Sequence, residues 1–317
     1  MIRFGNIDLE AVMAVRRIGQ EVFRFGNKAL RQTSLDSLAA LIDFAPAERA
    51  LASLYSSAMG EKAWPPVAMF KALLIATWYD LSDVRLAEAL EDRASFRRFC
   101  GFAGDEATPE RTAFVRFRRQ IVEHGLDRRL FEAIVRDLEQ KGACVRKGTL
   151  IDATIIASVS KGDKEASWVK HKSRAPAHGY KAHISADKET GIIRTVETTP
   201  ANEADVAVAP SIIPDRPGEV YGDRAYDALS VAAAIESSGG TSRLMRKGHR
   251  WLPAKKLEAY NRPLKPIRAR IEKIFGTWKR SYRFRAKRWI GLSKARCQVR
   301  LAAIAYNLKR YWRLQSA

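Results

Sequence analysis

At 317 residues the chain is long enough for one large domain or two ordinary ones, and its 46% hydrophobic content suits a globular core. Its net charge of +21 is concentrated: residues 241–317 hold 23 of the 56 Lys and Arg but only Glu258 and Glu272 of the 35 acids, which points to a polyanion, most simply nucleic acid. Cys100, Cys144 and Cys297 are too few and scattered for a disulfide framework or a zinc site, the five histidines form no ligand pair, and no apolar run reaches membrane-spanning length.

The first ten residues lack an apolar signal-peptide core, so a reduced, cytoplasmic protein is expected. Residues 1–145 read as helical. Residues 47–59 show helical periodicity, and Trp64-Pro65-Pro66 opens an apolar segment over 67–79, with proline acceptable in a first turn. Asp80-Leu81-Ser82 makes a turn. Residues 83–91 form a short helix with Val84, Leu86 and Leu90 inward, and Phe96, Phe99 and Phe102 pack beneath it. Thr108-Pro109-Glu110 predicts a helix start with Thr108 as the N-cap. The helix that follows carries Arg111, Arg116, Arg118 and Arg119 beside Phe114 and Phe117. Two readings stand for this region: a helix-turn-helix whose Arg116 and Arg119 meet DNA, or a bundle used for packing or dimerisation.

At residue 146 the texture changes to strands. Residues 150–158 are apolar on both faces, as a central strand requires, and residues 161–176 read as a long polar loop. Residues 179–186 and 191–198 alternate around a turn-forming Asp187-Lys188-Glu189-Thr190, which predicts a hairpin. A helix capped within 200–205 runs to about residue 212. A fourth strand ends at Asp223, a helix follows from Asp227 (its N-cap) to about 237, and residues 242–245 form a fifth strand. Residues 266–280 form a helix seated by Ile267, Ile271, Ile274 and Phe275, and residues 294–314 form a long final helix. This order predicts an α/β, ribonuclease-H-like catalytic domain over 146–317, a mixed five-stranded sheet with helices, preceded by an all-α N-terminal domain over 1–145.

Three carboxylates stand out in that arrangement. Asp152 and Asp223 sit on strands that the fold lays side by side, and Glu272 lies on the helix packed across the sheet. Three such acids match a two-metal phosphoryl-transfer site, in which two hard cations about 4 Å apart hold the attacking and leaving oxygens. Oxygen donors favour magnesium, with manganese as a substitute. Helical spacing puts Arg268 and Lys279 near the face of Glu272. Arg280, Arg283, Arg285, Lys287 and Arg288 alternate with Tyr282, Phe284 and Trp289, a pattern suited to tracking a DNA backbone. Lys181 and His183 point toward the same site if they share a strand face, with His183 reading more simply as a sheet histidine.

Over nearly its whole length the chain resembles the DDE transposases of bacterial insertion sequences, in the broad insertion sequence four/five group. The resemblance rests on Leu150-Ile151-Asp152-Ala153-Thr154, on Gly179-Tyr180-Lys181-Ala182-His183, and on Thr198-Thr199-Pro200-Ala201-Asn202-Glu203-Ala204-Asp205. It rests further on Tyr221-Gly222-Asp223-Arg224-Ala225-Tyr226 and on the Arg268, Glu272, Lys279 spacing. One departure is Lys265, where the group often has tyrosine. The resemblance implies that Asp152, Asp223 and Glu272 ligate two magnesium ions, that Arg268 and Lys279 hold phosphates, and that the partners are terminal inverted repeats and target DNA. It further implies a homodimer on DNA, no membrane, and a nucleoid-associated location. A nuclease or resolvase of the same fold, and a non-catalytic DNA-binding protein, are the alternatives.

Overall fold

The computed structural model describes residue 18 and residues 32–54, 63–171, 174–248, 253–286 and 288–316. The chain divides into two compact units, residues 1–134 and 135–317. The first ten residues, on which the signal-peptide reading fell, lie outside the described residues, as does the end of the 47–59 segment.

In the first unit the elements are helices: α1 (Ser34–Leu41), α2 (Ala45–Leu51), α3 (Pro66–Tyr79), α4 (Asp83–Asp92), α5 (Ala94–Cys100) and α6 (Arg111–Glu123). Helix α3 begins on its proline, which has no amide hydrogen to waste there, and ends where Asp80 turns left-handed at φ 55°. Its buried residues, among them Met69, Phe70, Leu74 and Trp78, lie on nearly every side, so it forms the centre of this unit. Leu86 and Leu90 are buried as expected, but Val84 is 48% exposed. Phe96, Phe99 and Phe102 are buried, with Trp78 edge-on to Phe99 at 5.6 Å between ring centres. Thr108 does not cap α6. The helix starts at Arg111, past Pro109, with the extended Glu110 at its N-cap, and the Thr108 hydroxyl is buried without a partner.

Helix α7 (Leu126–Gln140) leads toward the sheet, built from β1 (Gly148–Ala157), β2 (Ser167–His171), β3 (Arg174–Asp187), β4 (Ile193–Pro200), β5 (Glu219–Tyr221) and β6 (Thr241–Ser242). The order is β2-β3-β1-β5-β6, with β4 also paired to β3. Six strands therefore replace the expected five, because the segment read as a loop contains β2 and the start of β3, paired antiparallel. β1 runs antiparallel to β3 and parallel to β5, so the sheet is mixed. The resulting α/β architecture is consistent with the ribonuclease-H-like arrangement.

Helices α8 (Asp205–Ile212) and α9 (Leu229–Ser237) cover one face, where Ile151, Val208, Ile212, Val220, Tyr226, Val231 and Ile235 form a common core. Asp227 is not the N-cap of α9. That position is Ala228, and the Asp227 carboxylate instead accepts from the Lys247 amide at 2.6 Å. Helices α10 (Ala254–Asn261), α11 (Leu264–Gly276) and α12 (Leu292–Gln315) follow, with a π-helical turn over Thr277–Ser281 after α11. Buried Asn307 of α12 clamps the start of β4, bonding both the amide and the carbonyl of Ile193 at 2.8 Å. Among the described residues no helix is long and apolar enough to cross a membrane.

Candidate active site

The site forms where the sheet leaves an edge of β1 open. The parallel register pairs Gly148, Thr149 and Leu150 of β1 with Glu219, Val220 and Tyr221 of β5, and there β5 ends. Continued by two residues, that register brings Asp152 level with Asp223. At the far end of β1 the edge closes again, because Ala157 bridges Ala286 and its amide donates to the Arg285 carbonyl at 3.0 Å. Between these closures lies a cavity of about 420 Å³ lined by residues that include Asp152, Thr154, Lys181, Asp205, Asp223, Arg268 and Lys279. Gly222 makes the close approach possible, since a Cβ there would meet the side chains of Ile151 and Leu244 at 2.9 Å.

Asp152 and Asp223 are thus brought to one cavity, held by different means. Asp152 is largely buried, accepts from the Ala153 amide at 2.8 Å, and takes a second hydrogen bond from Arg268 Nη2 at 2.9 Å. Burial pushes its carboxyl up to about 6; the Arg268 charge and the Ala153 amide oppose that rise, and the Asp223 charge adds to it. Asp223 stands at the N-cap of a short 3₁₀ turn (Arg224–Tyr226) and accepts from the Ala225 amide at 2.8 Å.

Glu272 is placed differently. Its side chain is 58% exposed, outside the cavity lining, and it pairs with Arg268 Nη1 at 3.0 Å. Arg268 therefore bridges Asp152 and Glu272, while its Nε is buried without an acceptor. Among the described residues no three His, Cys, Asp or Glu side chains converge closely enough to hold one ion. The donor chemistry nonetheless fits a hard cation: Asp152 and Asp223 share a cavity with Asp205, Glu272 is one guanidinium away, and that guanidinium lies between Asp152 and Glu272.

The remaining candidates are dispersed. Lys279 lines the cavity. So does Lys181, but its ammonium is held by the Glu203 carbonyl at 2.7 Å and the Asp205 carboxylate at 3.1 Å. His183 is fully buried and bonds the Thr199 hydroxyl, as a sheet histidine. Arg280, Arg283, Arg285 and Arg288 are exposed, and Lys287 lies outside the described residues. Tyr282 and Phe284 are buried, so two of the interleaved aromatics anchor this run to the core and present no face to a base. In the first unit Arg116 is exposed, and Arg119 is 67% exposed at 3.7 Å from Glu123.

Two cavity neighbours were not singled out in the sequence. Asp205, read only as part of a helix cap, lines the cavity, and the first turn of α8 leaves it facing Lys181 and His183. The Tyr226 hydroxyl is buried without a partner, and burial, then the charges of Asp205, Asp152 and Asp223, raise its pKa. Asp205 closes the Thr198–Asp205 run, which was the available signal. Tyr226 likewise closes the Tyr221–Tyr226 run.

Residues 144–308 match the family model described as Transposase DDE domain, and residues 24–120 match the one described as Transposase domain (DUF772). No solved structure matches the chain.

Proposed function

The Transposase DDE domain match spans more than half of the chain, so the chain belongs to that family, and from this premise we propose a specific reading of its chemistry. DNA transposition is the general activity, and DNA is the partner. Asp152, Asp223 and Glu272 are the catalytic carboxylates, and together they hold divalent metal, magnesium with manganese as its substitute. Bound there, such an ion lowers the pKa of water and neutralises charge developing on the phosphate. The protein binds the terminal inverted repeats of its element, hydrolyses the strand at each end, and directs the freed 3′-hydroxyl onto a phosphate of target DNA.

The observation that carries this reading is the pair of carboxylates at the open edge of β1. Asp152, largely buried, and Asp223 share a cavity whose other charged residues are Asp205, Lys181, Arg268 and Lys279. An arrangement that sets carboxylates beside partly buried cations suits a cation and a polyanion together. Lys279, Arg280, Arg283, Arg285, Lys287 and Arg288 supply backbone contacts near the cavity. Lys181 acts by fixing Asp205 and the loop after β4. The helical region over residues 1–145 serves DNA binding or dimerisation through exposed Arg116 and Arg119, and the functional unit on DNA is a homodimer. The Arg268, Glu272, Lys279 spacing supports the insertion sequence four/five group, despite Lys265.

A plasmid carrying the native flanking DNA tests the proposal. Wild type with magnesium is expected to cut at the repeat ends and yield joined products, and Asp223→Asn to do neither. Cutting without joining would favour a nuclease or resolvase. Identical behaviour of both proteins would leave only a DNA-binding role.

A further inference from the structure

Arg268 does more than neutralise a neighbour. Its two terminal nitrogens hold carboxylates from two elements, Asp152 on β1 at 2.9 Å and Glu272 on α11 at 3.0 Å. The two partners differ in freedom. The Asp152 side chain is 12% exposed and fixed by the strand, whereas that of Glu272 is 58% exposed on a helix surface. The buried, unpartnered Nε sets this contact apart from a saturated structural ion pair. Geometry also explains why three acids fail to converge on one point. One of them is turned to the guanidinium, which spans the gap between it and the first.

We propose that Arg268 is a built-in counter-cation of this site, holding Asp152 and Glu272 while metal is absent and releasing them when the site is loaded. The inference rests on the reading that the three acids bind divalent metal. A guanidinium and a divalent cation compete for the same carboxylate oxygens, because like charges a few ångströms apart repel in a partly desolvated site. An ion that takes the Oδ2 atom of Asp152 therefore displaces Arg268 from it. Glu272, being exposed, supplies the mobility. Once released, the guanidinium remains beside the cavity with its fork unoccupied, and bidentate pairing suits it to a DNA phosphate. The same residue would then serve in sequence as a placeholder for the metal and as a clamp for the substrate, which makes it a positioning residue.

Manganese binding to the full chain without DNA, measured by titration calorimetry, tests this directly. Arg268→Gln is expected to bind manganese about tenfold more tightly than wild type, the factor being set by how fully the closed pair excludes the ion. Arg268→Lys, whose single ammonium cannot bridge both acids as the fork does, should fall between the two. In metal-free buffer Arg268→Gln should melt below wild type, and manganese should raise its melting temperature more than it raises that of wild type. Should Arg268→Gln fail to fold, the Arg268→Lys affinity alone decides, again expected to be tighter than wild type. Equal or weaker binding by the Arg268 variants, with binding still abolished by Asp223→Asn, would overturn the counter-cation role and leave the metal site standing. Absence of any binding that depends on Asp223 would overturn the site reading and this inference together.

Discussion

Arginines in the two units of this chain solve different problems. In the helical unit Arg97 is nearly buried, and its guanidinium is saturated: Nε and Nη2 donate to the Ala103 carbonyl at 2.9 and 2.6 Å, and Nη1 donates to the Leu90 carbonyl at 3.3 Å. Arg118 of α6 is likewise buried and lays both terminal nitrogens on the Asp83 carboxylate at the start of α4. In the other unit Arg268 is half-buried, is shared between the carboxylates of Asp152 and Glu272, and leaves Nε without an acceptor. A saturated guanidinium closes a fold. An unsaturated one shared between carboxylates of two elements is placed for exchange of partners.

The comparison breaks most visibly if the acids around Arg268 prove dispensable. Asp152→Asn and Asp223→Asn are expected to lower DNA cleavage by about 10³-fold or more, on the scale of lost electrostatic stabilisation at a reacting phosphate. Circular dichroism should show both variants folded. Retained cleavage would make the cavity a structural feature.

Next in size is the cost of a saturated arginine. Arg118→Ala removes the partner of Asp83 and should lower unfolding free energy by about 2 kcal/mol in urea titrations, as loss of a partly buried, charge-assisted pair does. Arg97→Ala, which leaves the Ala103 and Leu90 carbonyls without their donor, should cost a similar amount. A loss under about 1 kcal/mol for both would place them with ordinary surface ion pairs and erase the contrast.

A pH series sharpens the contrast from the carboxylate side. Burial lifts Asp152 from the ordinary 3.8 to about 6, so the folded chain binds this proton more tightly than the unfolded chain. The resulting stability is fully present below about pH 4 and is lost as pH rises through 6, up to about 3 kcal/mol by linkage. Asp152→Asn should remove that slope between pH 4 and 7. Parallel stability curves for the two proteins would contradict the burial argument.

The smallest effect is expected at Arg119, exposed and loosely paired with Glu123. Arg119→Ala should change stability by less than about 0.5 kcal/mol. Its affinity for repeat-end DNA, measured by fluorescence anisotropy across a salt series, should nonetheless fall, with a salt slope shallower by about one charge.

Much of the catalytic unit was legible because its signals are local. The run of β1, apolar on both faces, marked a central strand, and the hairpin and the Arg268–Glu272 contact at i,i+4 follow from periodicity alone. What was missed depends on contacts distant in sequence. β2 is a five-residue strand, Ser-Trp-Val-Lys-His, held by its pairing to β3 and not by apolar faces of its own, so its polar flanks read as loop. In the segment after the π-helical turn, basic and aromatic residues alternate, but composition does not say which set faces inward. Burial of Tyr282 and Phe284 decided that. Asp205 and Tyr226 meet the acids only once β3, α8 and the turn after β5 are assembled. Pro109 illustrates the reverse error, a strong local start signal that the chain passes before α6 begins at Arg111.

The most direct test of the central claim, that Asp152, Asp223 and Glu272 serve one cation site, maps where a metal binds on the chain itself. Ferrous iron would replace magnesium, hydroxyl radicals would be generated at the bound ion, and the resulting backbone cuts located by mass spectrometry. The expected result is cuts beside residues 152, 223 and 272 that vanish in Asp223→Asn. Cuts confined to other segments, or a pattern unchanged in that variant, would contradict it.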